Sequence, residues 1–464
     1  MGKVHSSEKK FSVARNIKQS WSSKIEDGSN ENLPIFKLQL KETWQNSDGL
    51  CRRCTFGKEN AKPNKTIMMI GATGAGKTTL INSMINYILG VQWEDDFWFV
   101  LIDERKQKSQ AESQTSEITA YQINHMNGFH TEYSLTIVDT PGFSDTRGIS
   151  HDQKITKQIQ DLFSARGGID CIDAVCFVVQ ASLARLTQIQ KYIFDSILSM
   201  FGKDIAENIL VMVTFADGKT PPVLEAIKVS EVPCSTNESG EPLHFKFNNS
   251  AVFATNNKSA EDEESDCETF DQMFWNLGFS SMKKFFTSLN KMITKSLSLT
   301  REVLKEQQHL EGLQPQINAE KRQGTYQDLK KRFEAAHGQV MSKEKIFEEL
   351  ENELRVFQGI LAGLIEKSQK SLERLQEIAL KPNPLSIPDY IDLMIESEKQ
   401  EAKPGFQDRI QSLMEVRKKA EILSKVSTGE VLPEDWRAYT SQKDETFEQS
   451  TFCRMQEGLK KWFK

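Results

Sequence analysis

The sequence predicts an α/β fold, a mostly parallel central sheet covered by helices, followed by an all-α helical region. Three observations predict it. Short apolar strands alternate with amphipathic stretches from Thr66 to about Thr255, a glycine-rich turn joins the first of these strands to a helix, and beyond the acidic run Glu261 to Asp266 the apolar pattern turns almost wholly helical.

Residues 1 to about 60 are polar and irregular, with turn signals at Asp27-Gly28 and Asp48-Gly49, and read as a basic, partly disordered amino-terminal extension. The α/β domain is expected over 61–260. Its strand candidates are Thr66 to Ile70, Phe97 to Ile102, Ala120 to His125, Leu135 to Val138, Asp173 to Val179 and Ile209 to Thr214, with helices over Gln153 to Phe163 and Gln188 to Met200. The helical region is expected over 267–464. Phe285, Leu289, Met292, Ile293 and Leu297 give one apolar face. Leu350, Leu354, Phe357, Leu361, Leu364, Leu372, Leu375 and Ile378 keep three-to-four spacing, interrupted by Ser368 and Ser371. A self-associating coiled coil and a helix folded back on the preceding domain predict the same stripe. Pro382, Pro384 and Pro388 end it, and Pro404-Gly405 separates two shorter helical pieces.

At 464 residues the chain has room for two or three domains. A formal net charge of -6 over a mixed charge pattern gives no footprint for nucleic acid, so none is expected as a partner. Seven scattered cysteines, the lack of a secretory signal and the lack of an apolar run of about 18 residues point to reduced cytosol. The sequons at Asn237 and Asn248 would then carry no glycan. Cys51 and Cys54 form a lone C-x-x-C and are expected as plain loop thiols rather than a zinc or redox pair.

The chemistry concentrates in Gly71-Ala72-Thr73-Gly74-Ala75-Gly76-Lys77-Thr78, with Thr79 next, between an apolar strand and the periodic segment Leu80, Ile81, Met84, Ile85, Ile88, Leu89. Small residues let successive N–H groups turn inward on a β-phosphate, Lys77 reaches the β and γ oxygens, and Thr78 offers a hydroxyl to Mg²⁺. A second strand ends in Asp139-Thr140-Pro141-Gly142, where Asp139 would hold Mg²⁺ through water and the Gly142 N–H would sense the γ-phosphate. Strand Ile209 to Thr214 runs into Thr214-Phe215-Ala216-Asp217. A carboxylate there accepts from guanine N1–H and N2–H₂, although an Asp before Gly218 also reads as a turn residue.

Taken in order, these matches from the loop to about Thr255 resemble the septin-like P-loop GTPases and are most similar to the immunity-associated GIMAP branch. Thr140-Pro141-Gly142-Phe143-Ser144-Asp145-Thr146 resembles that branch's switch, Gln180 to Thr187 its segment before the guanine motif, and Phe247-Asn248-Asn249-Ser250 its closing base contact. The resemblance implies a G domain that binds GTP and GDP with Mg²⁺ and dimerises across the nucleotide face when GTP is bound. It implies Thr115 as the switch threonine on Mg²⁺ and γ-phosphate, with Thr119 the rival. It also implies Arg185 as an arginine donated across the dimer, with Arg147 second; a carboxylate-paired surface arginine is the plain alternative for both.

Two departures matter. Phe215 replaces the lysine whose stem lies along the base, and an aromatic ring could stack there instead. Phe143 stands where small GTPases place a water-orienting glutamine, so slow intrinsic turnover is expected. The alternatives are a GTP-dependent scaffold with negligible hydrolysis and an ATP-dependent kinase or ATPase.

At the amino end, Met1-Gly2-Lys3-Val4-His5-Ser6 fits the N-myristoylation pattern on Gly2. Through residue 24 six basic residues stand against one acid, the second signal that stable attachment to an anionic membrane needs. Phe11, Ala14, Ile17 and Trp21 repeat at three-to-four spacing and suggest an apolar face on lipid, against a plain basic tail. The expected location is cytoplasmic, at the cytoplasmic face of a membrane.

Overall fold

The computed structural model describes residues 12–25, 33–103, 117–143, 149–165, 167–183, 194–195, 197–252, 254, 266–323, 356, 360, 363–364, 366–381, 392, 395, 407, 410–411, 414 and 417. The chain divides into two compact units. One runs to Leu304 and takes in Ile378–Lys381, and the other holds Lys305–Glu377 and Pro382–Lys464.

The first unit opens with α1 (Val13–Ser20), β1 (Ser22–Lys24), β2 (Ile35–Leu38), β3 (Lys41–Gln45), β4 (Cys51–Phe56), β5 (Asn64–Gly71) and α2 (Lys77–Ile88). β6 (Trp98–Val100), β7 (Ile118–Ile123), β8 (Ser134–Asp139), α3 (Ile149–Ser164), β9 (Cys171–Ile172), β10 (Ala174–Gln180) and β11 (Ile209–Thr214) follow. Then come α4 (Val223–Val229), β12 (His244–Lys246), α5 (Asp266–Lys291), β13 (Lys295–Ser296) and α6 (Ser298–Gln323), which continues past Leu304.

The main sheet has the order β12-β11-β10-β5-β8-β7-β4-β3. From β12 to β8 every neighbour is parallel; β7 turns antiparallel, β4 runs parallel to β7, and β3 closes the edge antiparallel. β8, β10 and β11 are almost wholly buried, as strands covered on both faces must be; β10 and β11 are near-continuous apolar runs, while β8 carries Ser134, Thr136 and Asp139 among its apolar residues. The expected strands between residues 66 and 214 are all present. The expected second strand differs: β6 lies outside the main sheet, in a small sheet of order β1-β2-β6. Asn82 and Asn86, one turn apart on α2, supply the partners for β6 and the residues after it. Asn86 exchanges hydrogen bonds with Phe99 at 2.8 and 2.9 Å, and Asn82 accepts from Leu101 and Ile102 at 2.8 and 3.1 Å.

The expected extension over 1–60 is corrected from residue 12 onward. Cys51, Cys54 and Phe56 are buried, and β3 and β4 extend the main sheet. The stretch reads as polar because β3 is an exposed edge strand and Arg52 and Arg53 separate the buried positions. The lipid-facing stripe is corrected as well. Ala14 and Ile17 are fully buried in the domain core, and Trp21 packs edge-on against Phe56. Arg15 and Lys18 pair with Asp95 and Asp96 at 3.2 and 3.3 Å, so this helix gains its apolar and its charged partners from its own domain. Phe11 lies outside the described residues. Cys51 and Cys54 fall in the cores on opposite faces of the sheet, so they share no site, and burial pushes the Cys51 thiol up to about 12.

The expected start of a separate helical region at 267 also moves. Trp275, Met282, Phe285, Phe286 and Leu289 of α5 lie in the same core as Leu80, Met84 and Ile88 of α2. The apolar face expected to run to Leu297 ends with the helix at Lys291, and Ile293 is 77% exposed. A buried carboxylate explains the break. Asp173 accepts from Lys65 Nζ at 2.8 Å and from the Thr294 hydroxyl at 2.6 Å, while Asn208 Nδ2 donates to the Asp173 and Ile293 carbonyls. Polar bonds to the bottom of the sheet thus override helical periodicity.

In the second unit Leu313 of α6 and Leu364 share a small cluster, and His309 of α6 lies 2.9 Å from the Ser371 hydroxyl. The serine that interrupts the apolar stripe is therefore a buried polar partner of another helix of the same chain. This pairing lies within one chain, unlike a self-associating coiled coil. Pro382, Pro384, Pro388, Pro404 and Gly405 lie outside the described residues, as does most of the segment Gln188 to Met200, although 194–195 and 197–199 are helical.

Candidate nucleotide-binding site

β5 ends in the centre of the sheet between β8 and β10, and its last residue has no room for a side chain. A Cβ on Gly71 would collide with the Val178 carbonyl oxygen. The chain then turns through Gly74 at φ +76° and Gly76 at φ +84°, left-handed values that glycine adopts without strain. Gly76 caps α2 without a side-chain hydrogen bond, so the first-turn amides of α2 face the loop. Lys77 is buried, and its ammonium donates to the Gly71 and Ala72 carbonyls at 3.0 and 3.1 Å, curled over the loop it follows. Thr78 and Thr79 are half-buried beside it.

The second motif is laced onto the first. Asp139 is buried at the end of β8, and the Thr140 hydroxyl donates to the Met69 carbonyl at 2.8 Å. The Thr73 N–H donates to the Phe143 carbonyl at 2.9 Å, and the Phe143 N–H to the Gly71 carbonyl at 3.3 Å. Gly142 therefore passes so close to the loop that a Cβ there would sit 2.5 Å from the Thr73 hydroxyl and 2.6 Å from its Cα. That hydroxyl is buried and, among the described residues, has no hydrogen-bond partner. An orphaned donor on a ring of amides is what a phosphate oxygen would satisfy. Burial and the Asp139 charge both raise the Tyr121 phenol, which stays protonated. The Phe143 ring is buried in the core under the sheet and brings no polar group to the loop.

At the base end the Thr214 hydroxyl donates to the Ala75 carbonyl at 2.7 Å and lies 3.1 Å from the Val179 carbonyl, tying β11 to the loop and to β10. Phe215 is 58% exposed at φ +53°. Asp217 is exposed and accepts from the Lys219 N–H at 3.0 Å. Lys246 donates to the Gly218 carbonyl at 2.8 Å, steadying the same turn. Asn248 caps the short turn Asn249–Ala251 by accepting from the Ser250 N–H at 3.2 Å, and both asparagines are half-buried next to Ser83 and Tyr87 of α2. Gln180, which the sequence places only at the start of the segment before the guanine motif, donates its amide to the Gly74 carbonyl at 3.0 Å on the rim of the loop. Its place at the end of β10 beside the loop was the available signal.

Thr115, Arg147, Arg185 and Gly2 lie outside the described residues. The segment that carries Thr115 leaves from Ile102, bound by Asn82, and returns in β7, where the rival Thr119 is buried and accepts from Arg52 at 3.1 Å. The segment that carries Arg185 leaves after Leu183.

A glycine loop between a central parallel strand and a helix, with an Asp-Thr-Pro-Gly turn laced against it, defines a P-loop G domain. Residues 65–268 match the model of the AIG1 family, and this part of the chain is a P-loop GTPase domain of the AIG1 type. β1 to β4 and most of α5 lie outside the match. Among solved structures, Toc33 from Arabidopsis thaliana in complex with GDP and Mg²⁺ is 17% identical, with a TM-score of 0.31 over 50% of this chain and 87% of that chain. Toc33 in complex with Mg²⁺ and GMPPNP is 16% identical, with a TM-score of 0.28 over 48% of this chain and 87% of that chain. No curated protein matches the chain.

Proposed function

We propose that this protein binds GTP with Mg²⁺ and hydrolyses it slowly to GDP and phosphate, with turnover governed by nucleotide-dependent dimerisation. The observation that carries the reading is the laced pair of loops, Gly71 to Thr78 against Asp139 to Phe143, with the buried Thr73 hydroxyl unsatisfied between them. Thr78 and Asp139 are oxygen donors of the hard kind that Mg²⁺ takes, and Thr115 would join them from the switch. When bound, the ion neutralises charge on the phosphate oxygens. Lys77 is poised to exchange its two carbonyl partners for β and γ oxygens, and the amides of the loop and of Gly142 hold those oxygens in place.

Phe143 cannot orient water, which supports a slow intrinsic rate, and an arginine from a second copy would supply the missing charge. Arg185 is assigned that role, ahead of Arg147. Specific activity then rises with protein concentration, and Arg185→Ala lowers turnover by about 10³ while GTP affinity stays near wild type. Flat specific activity with unchanged Arg185→Ala turnover contradicts trans activation. It favours the second reading, a GTP-dependent scaffold, for which the buried Phe143 is the specific support.

Attachment to an anionic cytoplasmic membrane is assigned to a myristoylated Gly2 together with the basic residues near it. Because the apolar side of α1 is already used by the core, the lipid contacts are left to the residues before it. Gly2→Ala is expected to move the protein from the membrane to the soluble fraction of fractionated cells. A wild type found only in the soluble fraction contradicts this assignment.

A further inference from the structure

We infer that Ile378–Lys381 is a clasp that restrains nucleotide release from the phosphate loop, acting through Asp195 and Phe194; this rests on the nucleotide reading above. These four residues belong to the compact unit that holds the cleft, although the residues on both sides of them belong to the other unit. Ile378 and Ala379 are buried, Ala379 makes an antiparallel bridge with Gly202, and the Leu380 N–H donates to the Phe201 carbonyl at 2.9 Å. Lys381 Nζ lies 2.6 Å from a carboxylate oxygen of buried Asp195. Gly202 is pinned further: its N–H donates to the Thr300 hydroxyl at 3.2 Å, and a Cβ on it would lie 2.8 Å from Leu299 Cγ. The clasp thus grips one helical stretch at two points, Asp195 and Phe201.

The same stretch reaches the phosphate loop. Phe194, next to Asp195 in the chain, is buried against Phe177 of β10 with ring centroids 4.3 Å apart. Both rings line a cavity of about 120 Å³, together with Val179, Leu183 and loop residues between Gly71 and Ala75. Lining atoms of a cavity lack contacts on one side, so the space favours a shift of the Phe194 ring toward the loop. Lys381 opposes that shift by holding Asp195. Opening the clasp lets the ring press on the loop, whose amides then hold phosphate oxygens less closely. A partner of the helical region that withdraws this segment therefore promotes nucleotide exchange.

The test measures release of a fluorescent GDP from the full chain into excess unlabelled GDP, for wild type, Lys381→Met, Asp195→Asn and the double variant, with Tm recorded for each. Each single variant is expected to speed release about tenfold, and the double no more than either single, as for two groups that act only as a pair. Val179→Leu adds a methylene to the cavity wall and is expected to blunt the effect of Lys381→Met. Wild-type release rates in both single variants, even with a lowered Tm, overturn the inference, as do effects that multiply in the double. An undiminished effect of Lys381→Met beside Val179→Leu removes the cavity from the route and overturns it as well. If Asp195→Asn does not fold, the two Lys381→Met measurements decide alone. A wild type that binds no GDP overturns the nucleotide reading and this inference with it.

Discussion

The phosphate end of the cleft is made of main chain and the base end is made of side chains. At the first, Gly71, Gly74, Gly76 and Gly142 set backbone paths that a Cβ would obstruct or strain. At the second, the Thr214 hydroxyl, the Phe215 ring and the Asp217 carboxylate occupy the positions of a motif that reads differently in small GTPases. Amides are supplied by every residue but proline, so the phosphate end depends on conformation and keeps a recognisable string of small residues. Side-chain contacts are exchangeable, so the base end tolerates new letters provided the geometry survives. Thr214 illustrates the exchange: its short hydroxyl still ties strand, loop and neighbouring strand together.

That contrast breaks most visibly at Lys77. Lys77→Ala removes the cationic side chain of the phosphate end, and GTP affinity is expected to fall at least about 100-fold by calorimetry, the size of a lost pair of charge-assisted contacts. An intermediate effect is expected at Asp217, where Asp217→Asn weakens GTP and GDP about 10- to 100-fold and leaves ITP, which lacks the 2-amino group, less affected. Equal losses for GTP and ITP would remove the carboxylate from base reading. Thr214→Val sharpens the comparison with the smallest effect. It replaces the hydroxyl with a methyl of similar size and is expected to cost about 1 kcal/mol in denaturant unfolding, with a modest loss of nucleotide affinity.

Much of this was legible in the sequence for the same reason the phosphate end is. The parallel strands carry near-continuous apolar runs because both faces are covered, and the β11 bounds, Ile209–Thr214, are those the pattern predicts. Where one face is open or a partner is distant, the pattern fails. β3 and β4 read as an irregular tail because an exposed edge and two arginines dilute their apolar positions. The stripe on α1 is a real amphipathic face, but periodicity does not say whether lipid or protein covers it; Ala14 and Ile17 are covered by the domain itself. Periodicity likewise carried the α5 face past Lys291, where Asp173, far away in sequence, holds Thr294 and ends it. The lacing of Thr73 to Phe143 and of Thr214 to Ala75 joins residues about 70 and 139 positions apart, beyond the reach of any local pattern.

The central claim is that this cleft holds a guanine nucleotide by its phosphates and its base together. Displacement of a fluorescent guanine nucleotide from the purified full chain, by GTP, GDP and ATP in Mg²⁺ buffer, tests it most directly. GTP and GDP are expected to displace the probe at concentrations at least tenfold below ATP; equal displacement by ATP, or no binding of the probe at all, would mean that the cleft does not select guanine nucleotides.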